Sequence, residues 1–290
     1  MLQHITFPFR NESVVADPVP NKLRRIVTSA VLLLAANIIT QLAIQIYIYI
    51  FTTALGYDTT FGYHWVVAKP FAWDMWGSVR VVAIYGMPPI FCLIGAYIVQ
   101  FVFINYSATA TRKKLFYIWL QTCMVNTFLV QVFILPAGTK GGLTGFYQTF
   151  SIVATWFRAE GYYFIPLSFA AAIAAIGWGI FIAPQLHTYS FSSRLIQTRE
   201  GKDAITRQVF LFPVMIAAPF IALFSNQYSF FVHVLFVAFL ALMYIGVIIR
   251  HRTDHSVVLC TKEDFLNRIS WIEIAITAVI WITVILLFNK

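Results

Sequence analysis

The sequence predicts an all-α integral membrane protein, a polytopic bundle of about seven transmembrane helices with a short amphipathic interfacial helix in the middle. Of its 290 residues, 60% are hydrophobic and only 11% are charged, whereas a soluble domain carries about 25% charged residues. The mean hydropathy is +0.78. So few charged side chains cannot cover a water-facing surface, and the long apolar runs are too long and too continuous for the strands of a membrane barrel. We therefore expect lipid to surround most of the chain.

Apolar runs of helix length recur along the chain. A helix needs roughly 20 apolar residues to cross the hydrocarbon core. We predict a cytoplasmic leader over residues 1–26 and a single transmembrane helical domain over residues 27–290. The predicted spans are about 26–55, 81–104, 115–135, 162–183, 208–224, 230–249 and 269–288.

Two segments between the spans have distinctive compositions. Residues 141–157 open with a glycine pair and continue as a short amphipathic run that contains Phe150, Ile152 and Trp156. This stretch is too short and too polar to span a bilayer, which favours an interfacial helix; a re-entrant segment and part of a span are the alternatives. Residues 56–80 are rich in Tyr, Phe and Trp, the residues typical of the headgroup layer, and are predicted to form an outer loop.

The distribution of basic residues predicts the orientation. With the leader inside, the inner segments contain 15 Lys and Arg and the outer segments contain five. The positive-inside rule therefore places the N-terminus in the cytoplasm and, with seven spans, the C-terminus outside. These charges are scattered over four short segments, which disfavours nucleic-acid binding and favours contact with anionic lipid.

Polar side chains at membrane depth are the first place to look for a functional site. Asn37, Gln41 and Gln45 recur at every fourth residue of the first span, so a helix places them on one face. The third span offers a looser stripe of Gln121, Asn126 and Gln131. Two interpretations are open. The amides either hydrogen-bond neighbouring helices together or line a polar path for a solute or an ion.

Few ionisable groups lie within the predicted spans. Glu273 lies about one turn inside the seventh span and is interpreted as an interfacial acid, with a proton or cation site as the alternative. His233 is the one histidine within the sixth span. His251, Asp254 and His255 follow that span, but Arg252 beside them disfavours a metal ion. No catalytic, cofactor-binding or metal-binding residue is predicted, and no cofactor is expected.

The middle of the chain resembles the Yip1-domain family. The features that carry the resemblance are a Gly-Gly pair, a Phe, a Gln-Thr pair and a Val-Ala, followed by a proline, a tryptophan and a small polar connector. They correspond to Gly141, Gly142, Phe146, Gln148, Thr149, Val153, Ala154, Pro166, Trp178, His187 and Ser190. The resemblance covers residues 115–224. Family members usually have five spans, and the resemblance implies a non-catalytic polytopic protein; eukaryotic relatives organise vesicle traffic.

The leading hypothesis is a non-enzymatic scaffold or subunit of a membrane complex, which acts through helix–helix and lipid contacts. Its expected partners are membrane lipids and a second protein or further copies of the chain. The alternative is a transporter or channel that uses the polar stripe of the first span, and an intramembrane enzyme is a third hypothesis. A bacterial inner membrane is the expected location because no organelle-targeting leader is visible in the sequence.

Overall fold

A computed structural model provides the fold. It describes residues 22–62, 65–69, 77–105, 111–139, 149–189, 198–223, 230–253, 271, 274–279 and 282. Within these residues, six helices are long and apolar enough to cross a membrane. This confirms the predicted helical architecture. Residues 1–21 of the predicted leader and most of the seventh predicted span lie outside the described residues; within that span, residues 274–279 are helical.

The long helices begin and end close to the predicted positions. They are α1 (Lys22–Ala54), α2 (Ser78–Ile104), α3 (Arg112–Phe133), α6 (Gly161–His187), α7 (Arg199–Ala222) and α8 (Phe230–Thr253). The largest difference is α7, which begins nine residues before the predicted fifth span. Thr198 caps its first turn by accepting a hydrogen bond from the Gly201 amide, so a polar turn precedes the apolar run.

Short elements connect the long helices. The predicted outer loop contains an antiparallel hairpin, in which β1 (Asp58–Gly62) pairs with β2 (Trp65–Lys69). Sequence reasoning missed it, because the aromatic residues were interpreted only as a membrane-interface signal. The short helices α4 (Leu135–Gly138) and α5 (Thr149–Trp156) follow α3. Helix α5 covers the second half of the predicted interfacial stretch, and residues 141–148 lie outside the described residues.

Helix α3 is the centre of the bundle. It packs against α1, α2, α6 and α8. Within its apolar stretch of 18 residues, 67% of the residues are buried, which is the largest fraction among the six spans described. Trp119 on this helix has no exposed surface and is the largest fully buried side chain described. The polar residues of the third predicted span are therefore inside the protein.

The two ends of the bundle differ in charge. Because successive long helices run antiparallel, the starts of α1, α3 and α7 lie with the ends of α2, α6 and α8. We call this the basic end, and the opposite one the hairpin end. The described Lys and Arg at the basic end are Lys22, Arg24, Arg25, Arg112, Lys113, Lys114, Arg199, Lys202, Arg207, Arg250 and Arg252. Only Lys69, Arg80 and Arg158 lie at the hairpin end among the described residues.

Tyr189 holds the connections at the basic end together. Its hydroxyl donates a hydrogen bond to the Thr111 carbonyl oxygen across 2.8 Å. Burial raises the pKa of Tyr189. The phenol therefore remains a neutral donor, and it joins the start of α3 to the end of α6.

Glycine residues allow α6 and α8 to approach closely. A Cβ atom at Gly179 would overlap the Met243 carbonyl oxygen, and one at Gly246 would overlap the Ile176 carbonyl oxygen. Each glycine thus faces the backbone of the other helix. Small residues at such crossings give apolar helices the close van der Waals contact that drives their association in lipid.

We expect Gly179→Ala and Gly246→Ala each to destabilise the bundle by about 1–3 kcal/mol, because a methyl group there forces two backbones apart. Gly177→Ala is the matched control on α6, since nothing lies within 4 Å of its Cβ position. The measurement is the unfolding free energy in detergent, with unfolding monitored by circular dichroism. Equal stability of the three variants would contradict the close crossing.

Candidate functional site

A chain of side-chain amides joins three helices near the basic end. Gln121 on α3 donates to the Gln185 Oε1 atom on α6 (3.1 Å), and Gln185 donates to the Gln100 Oε1 atom on α2 (3.0 Å). Gln100 then donates to the Asn105 Oδ1 atom across 2.7 Å. The chain leads from Gln121, which has no exposed surface, to the exposed Asn105. These amides therefore hydrogen-bond helix to helix.

Asn126 makes a second interhelical contact halfway along α3. Its Nδ2 atom donates to the Phe236 carbonyl oxygen on α8 across 2.8 Å, with both residues buried. Its Oδ1 atom is buried and has no hydrogen-bond partner among the described residues. Gln131, five residues further, accepts a hydrogen bond from the Thr149 hydroxyl of α5 across 2.7 Å. The three amides predicted on the third span thus each bond another helix.

A third contact involves Ser29, Trp119 and Val209, none of which has exposed surface. The Trp119 Nε1 atom donates to the Ser29 hydroxyl across 2.9 Å, and Ser29 donates to the Val209 carbonyl oxygen across 2.6 Å. In an α-helix that carbonyl would accept from residue 213, but Pro213 has no N–H group. The segment Arg207–Leu211 is a π-helical turn, and Ser29 supplies a donor to its carbonyl.

The polar stripe of the first span faces the interior. Gln41 and Gln45 line a small cavity toward the hairpin end, together with Gln131, Thr149 and His233. It offers about 40 Å³ to the centres of water-sized molecules, and a single water needs about 10–15 Å³ by this measure. Gln45 is 9% exposed. The side chains of Gln41 and Gln45 make no hydrogen bond within the described residues. The cavity has room for a few waters, which would supply these bonds.

Asn37 belongs to the same stripe but does not line this cavity. It is 3% exposed, and its Oδ1 atom has no hydrogen-bond partner among the described residues. The predicted polar residues are therefore divided. Gln121 and Asn126 form helix contacts, Gln41 and Gln45 line the cavity, and Gln131 does both. Glu273 lies outside the described residues.

Sequence reasoning missed two residues of these sites, Gln185 and Ser29, and it did not predict that His187 lies beside His251. Gln185 links two of the predicted amides but lies beyond the predicted end of the fourth span, after Pro184. Ser29 gave no signal, because a single hydroxyl in an apolar run is common. His187 and His251 are both buried and their ring centroids lie 4.9 Å apart, although they belong to sequence-distant helices.

Asp254 and His255 lie outside the described residues. Within the described residues, no group of three or more His, Cys, Asp or Glu could hold a metal ion.

Comparison with known proteins gives no relative. No protein-family description, no curated protein and no solved structure matches the chain.

Ser29→Ala is expected to cost about 1–3 kcal/mol of stability, because it leaves the buried Trp119 N–H and the Val209 carbonyl without this partner. The measurement is the unfolding free energy in detergent. In a Trp119→Phe background the same substitution is expected to cost less, because one of the two groups is already absent. Identical costs in both backgrounds would mean that the Trp119–Ser29 bond contributes nothing.

Proposed function

We propose that the chain is a multi-pass protein of a bacterial inner membrane, with the basic end in the cytoplasm. Six helices of membrane-spanning length and composition support the membrane location. The concentration of Lys and Arg at one end of the bundle supports the orientation, because such residues accumulate on the cytoplasmic side. With the predicted seventh span over residues 269–288, the C-terminus would lie outside.

Within that membrane, we propose that the protein is a non-enzymatic scaffold or subunit of a complex. The observation that carries this proposal is the use of the interior polar groups. Gln121, Asn126 and Gln131 bond neighbouring elements, so the amides of the central helix stabilise a defined bundle. The resemblance of residues 115–224 to the Yip1-domain family points to the same non-catalytic class.

The outer surface supports the same proposal. Only 28% of the residues in the 18-residue apolar stretch of α6 are buried, which is the smallest fraction among the six described spans. Phe169 and Ile173 on this helix are 68% and 70% exposed. Large apolar side chains at these positions contact lipid or the helices of a neighbouring membrane protein.

Native mass spectrometry of the chain, extracted from its own membrane in mild detergent, tests the scaffold proposal. We expect a stoichiometric protein partner or a homo-oligomer, because a scaffold acts through lasting contacts. A lone monomer that retains a small polar molecule would contradict the proposal and favour the transport alternative.

The second candidate is a transporter or channel, and the cavity lined by Gln41 and Gln45 favours it. Polar groups in apolar surroundings require hydrogen-bond partners. A small polar solute, an ion or water would supply them in this cavity. Transport further requires a continuous polar path, which would extend from the cavity along α1 to Asn37.

Cysteine scanning tests that path. In a chain whose natural cysteines are replaced by alanine, a conduit predicts that cysteines at Asn37, Gln41 and Gln45 react with a polar thiol reagent, because water reaches them. Cysteine at the fully buried Leu33 is the negative control, and cysteine at the exposed Lys22 is the positive control. Reaction at Gln41 and Gln45 alone would indicate a local cavity, and inertness at all three positions would exclude the conduit.

A further inference from the structure

An open groove lies where the start of α7 meets the last turns of α8. Its volume is about 700 Å³. Helix α7 contributes Arg199, Asp203 and Arg207, which recur at every fourth residue and therefore share one helical face. Helix α8 contributes Tyr244, Ile248 and His251. The groove lies at the basic end of the bundle, where a membrane headgroup layer would surround it.

Charged and apolar residues occupy different depths of this groove. Arg199, Glu200 and Arg207 are exposed near the end of the bundle. Leu211 and Phe212 follow one turn further toward the middle, and Phe212 is 39% exposed. The α-helical rise of 1.5 Å per residue gives an upper limit of about 7–8 Å for the step from Arg207 to Phe212, because Arg207–Leu211 is a π-helical turn. This order matches a phospholipid, whose charged phosphate lies at the surface and whose acyl chains point inward.

One of the two acids that line the groove, Asp203, is already engaged. Asp203 pairs with the Arg207 guanidinium and accepts a hydrogen bond from the Tyr244 hydroxyl across 3.3 Å. Its carboxylate therefore fixes Arg207 against the wall, and the remaining N–H groups of the planar guanidinium can face the groove. The Arg199 side chain has no hydrogen bond or ion pair within the described residues. Within the lining of the groove, Asp203 and Glu200 balance the two arginines in formal charge, and the surplus of positive charge comes from the other cations of the basic end.

We propose that this groove binds the phosphate diester of a membrane phospholipid. Arg199 and Arg207 bind the phosphate oxygens, and Leu211, Phe212 and Ile248 contact an acyl chain. Basic pockets between helices on the cytoplasmic side are a recurring form of lipid headgroup site. The inference rests on the proposed membrane location, and it holds whether the protein is a scaffold or a transporter.

The test measures lipid binding to the purified full-length chain in detergent by native mass spectrometry. Three probes are titrated: phosphatidylglycerol, a phosphate-free diacyl glycolipid and soluble glycerol 3-phosphate. We expect tight binding of phosphatidylglycerol alone. Arg199→Gln with Arg207→Gln is expected to weaken it about 30-fold, and Arg199→Gln alone, which preserves the Asp203–Arg207 pair, about fivefold. Arg199→Lys with Arg207→Lys should retain most of the affinity.

Lys113→Gln with Arg252→Gln is the matched control, because it removes the same charge from exposed positions at the same end but outside the groove. Equal weakening by this control would overturn the site in favour of general surface charge. Equal binding of the glycolipid, or binding of glycerol 3-phosphate without a lipid preference, would also overturn it. Release of the chain from membranes without detergent would instead refute the proposed membrane location. Unchanged circular dichroism of each variant excludes misfolding as the cause of lost binding.

Discussion

A polar group enclosed by apolar side chains must find a hydrogen-bond partner, and this requirement organises the interior. The strictest case is the Val209 carbonyl, which Pro213 deprives of its usual helical donor. Ser29 on α1 supplies a hydroxyl, and Trp119 on α3 donates to the same hydroxyl. Three helices are thereby fixed at one buried point. The amides of Gln121, Gln185 and Gln100 fix α3, α6 and α2 in the same way.

The shape of the backbone also helps to meet this requirement. The π-helical turn over Val82–Gly86 directly precedes Pro88 and Pro89, and that over Arg207–Leu211 precedes Pro213. A wider turn keeps a proline ring away from the preceding carbonyl groups. At Gly179 and Gly246 the missing side chains bring α6 and α8 into backbone contact. Hydrogen bonds and close packing thus replace the hydrophobic effect, which gives little association energy between apolar helices in lipid.

The two ends of the bundle are suited to different tasks. The hairpin end holds the small cavity lined by Gln41 and Gln45. Within the described part of the chain, this cavity leaves room for water beside polar side chains of the interior. The basic end holds most of the described cations and an amphipathic groove beside Arg199 and Arg207. A scaffold would use the basic end and the exposed face of α6 for lipid and protein contacts. Transport would require the cavity to connect to both ends.

Hydropathy and helical periodicity are local properties, so they predicted a membrane class, approximate positions for the six described helices and an inward direction for the stripe of Asn37, Gln41 and Gln45. It could not assign partners to the amides. Gln121 and Gln185 lie 64 residues apart in the chain, and the distance between two helices depends on packing at sites such as Gly179. The cavity and the groove beside Arg199 and Arg207 likewise arise between segments that are distant in sequence. These features follow from the three-dimensional fold alone, because side chains meet there through helix packing that no local pattern encodes.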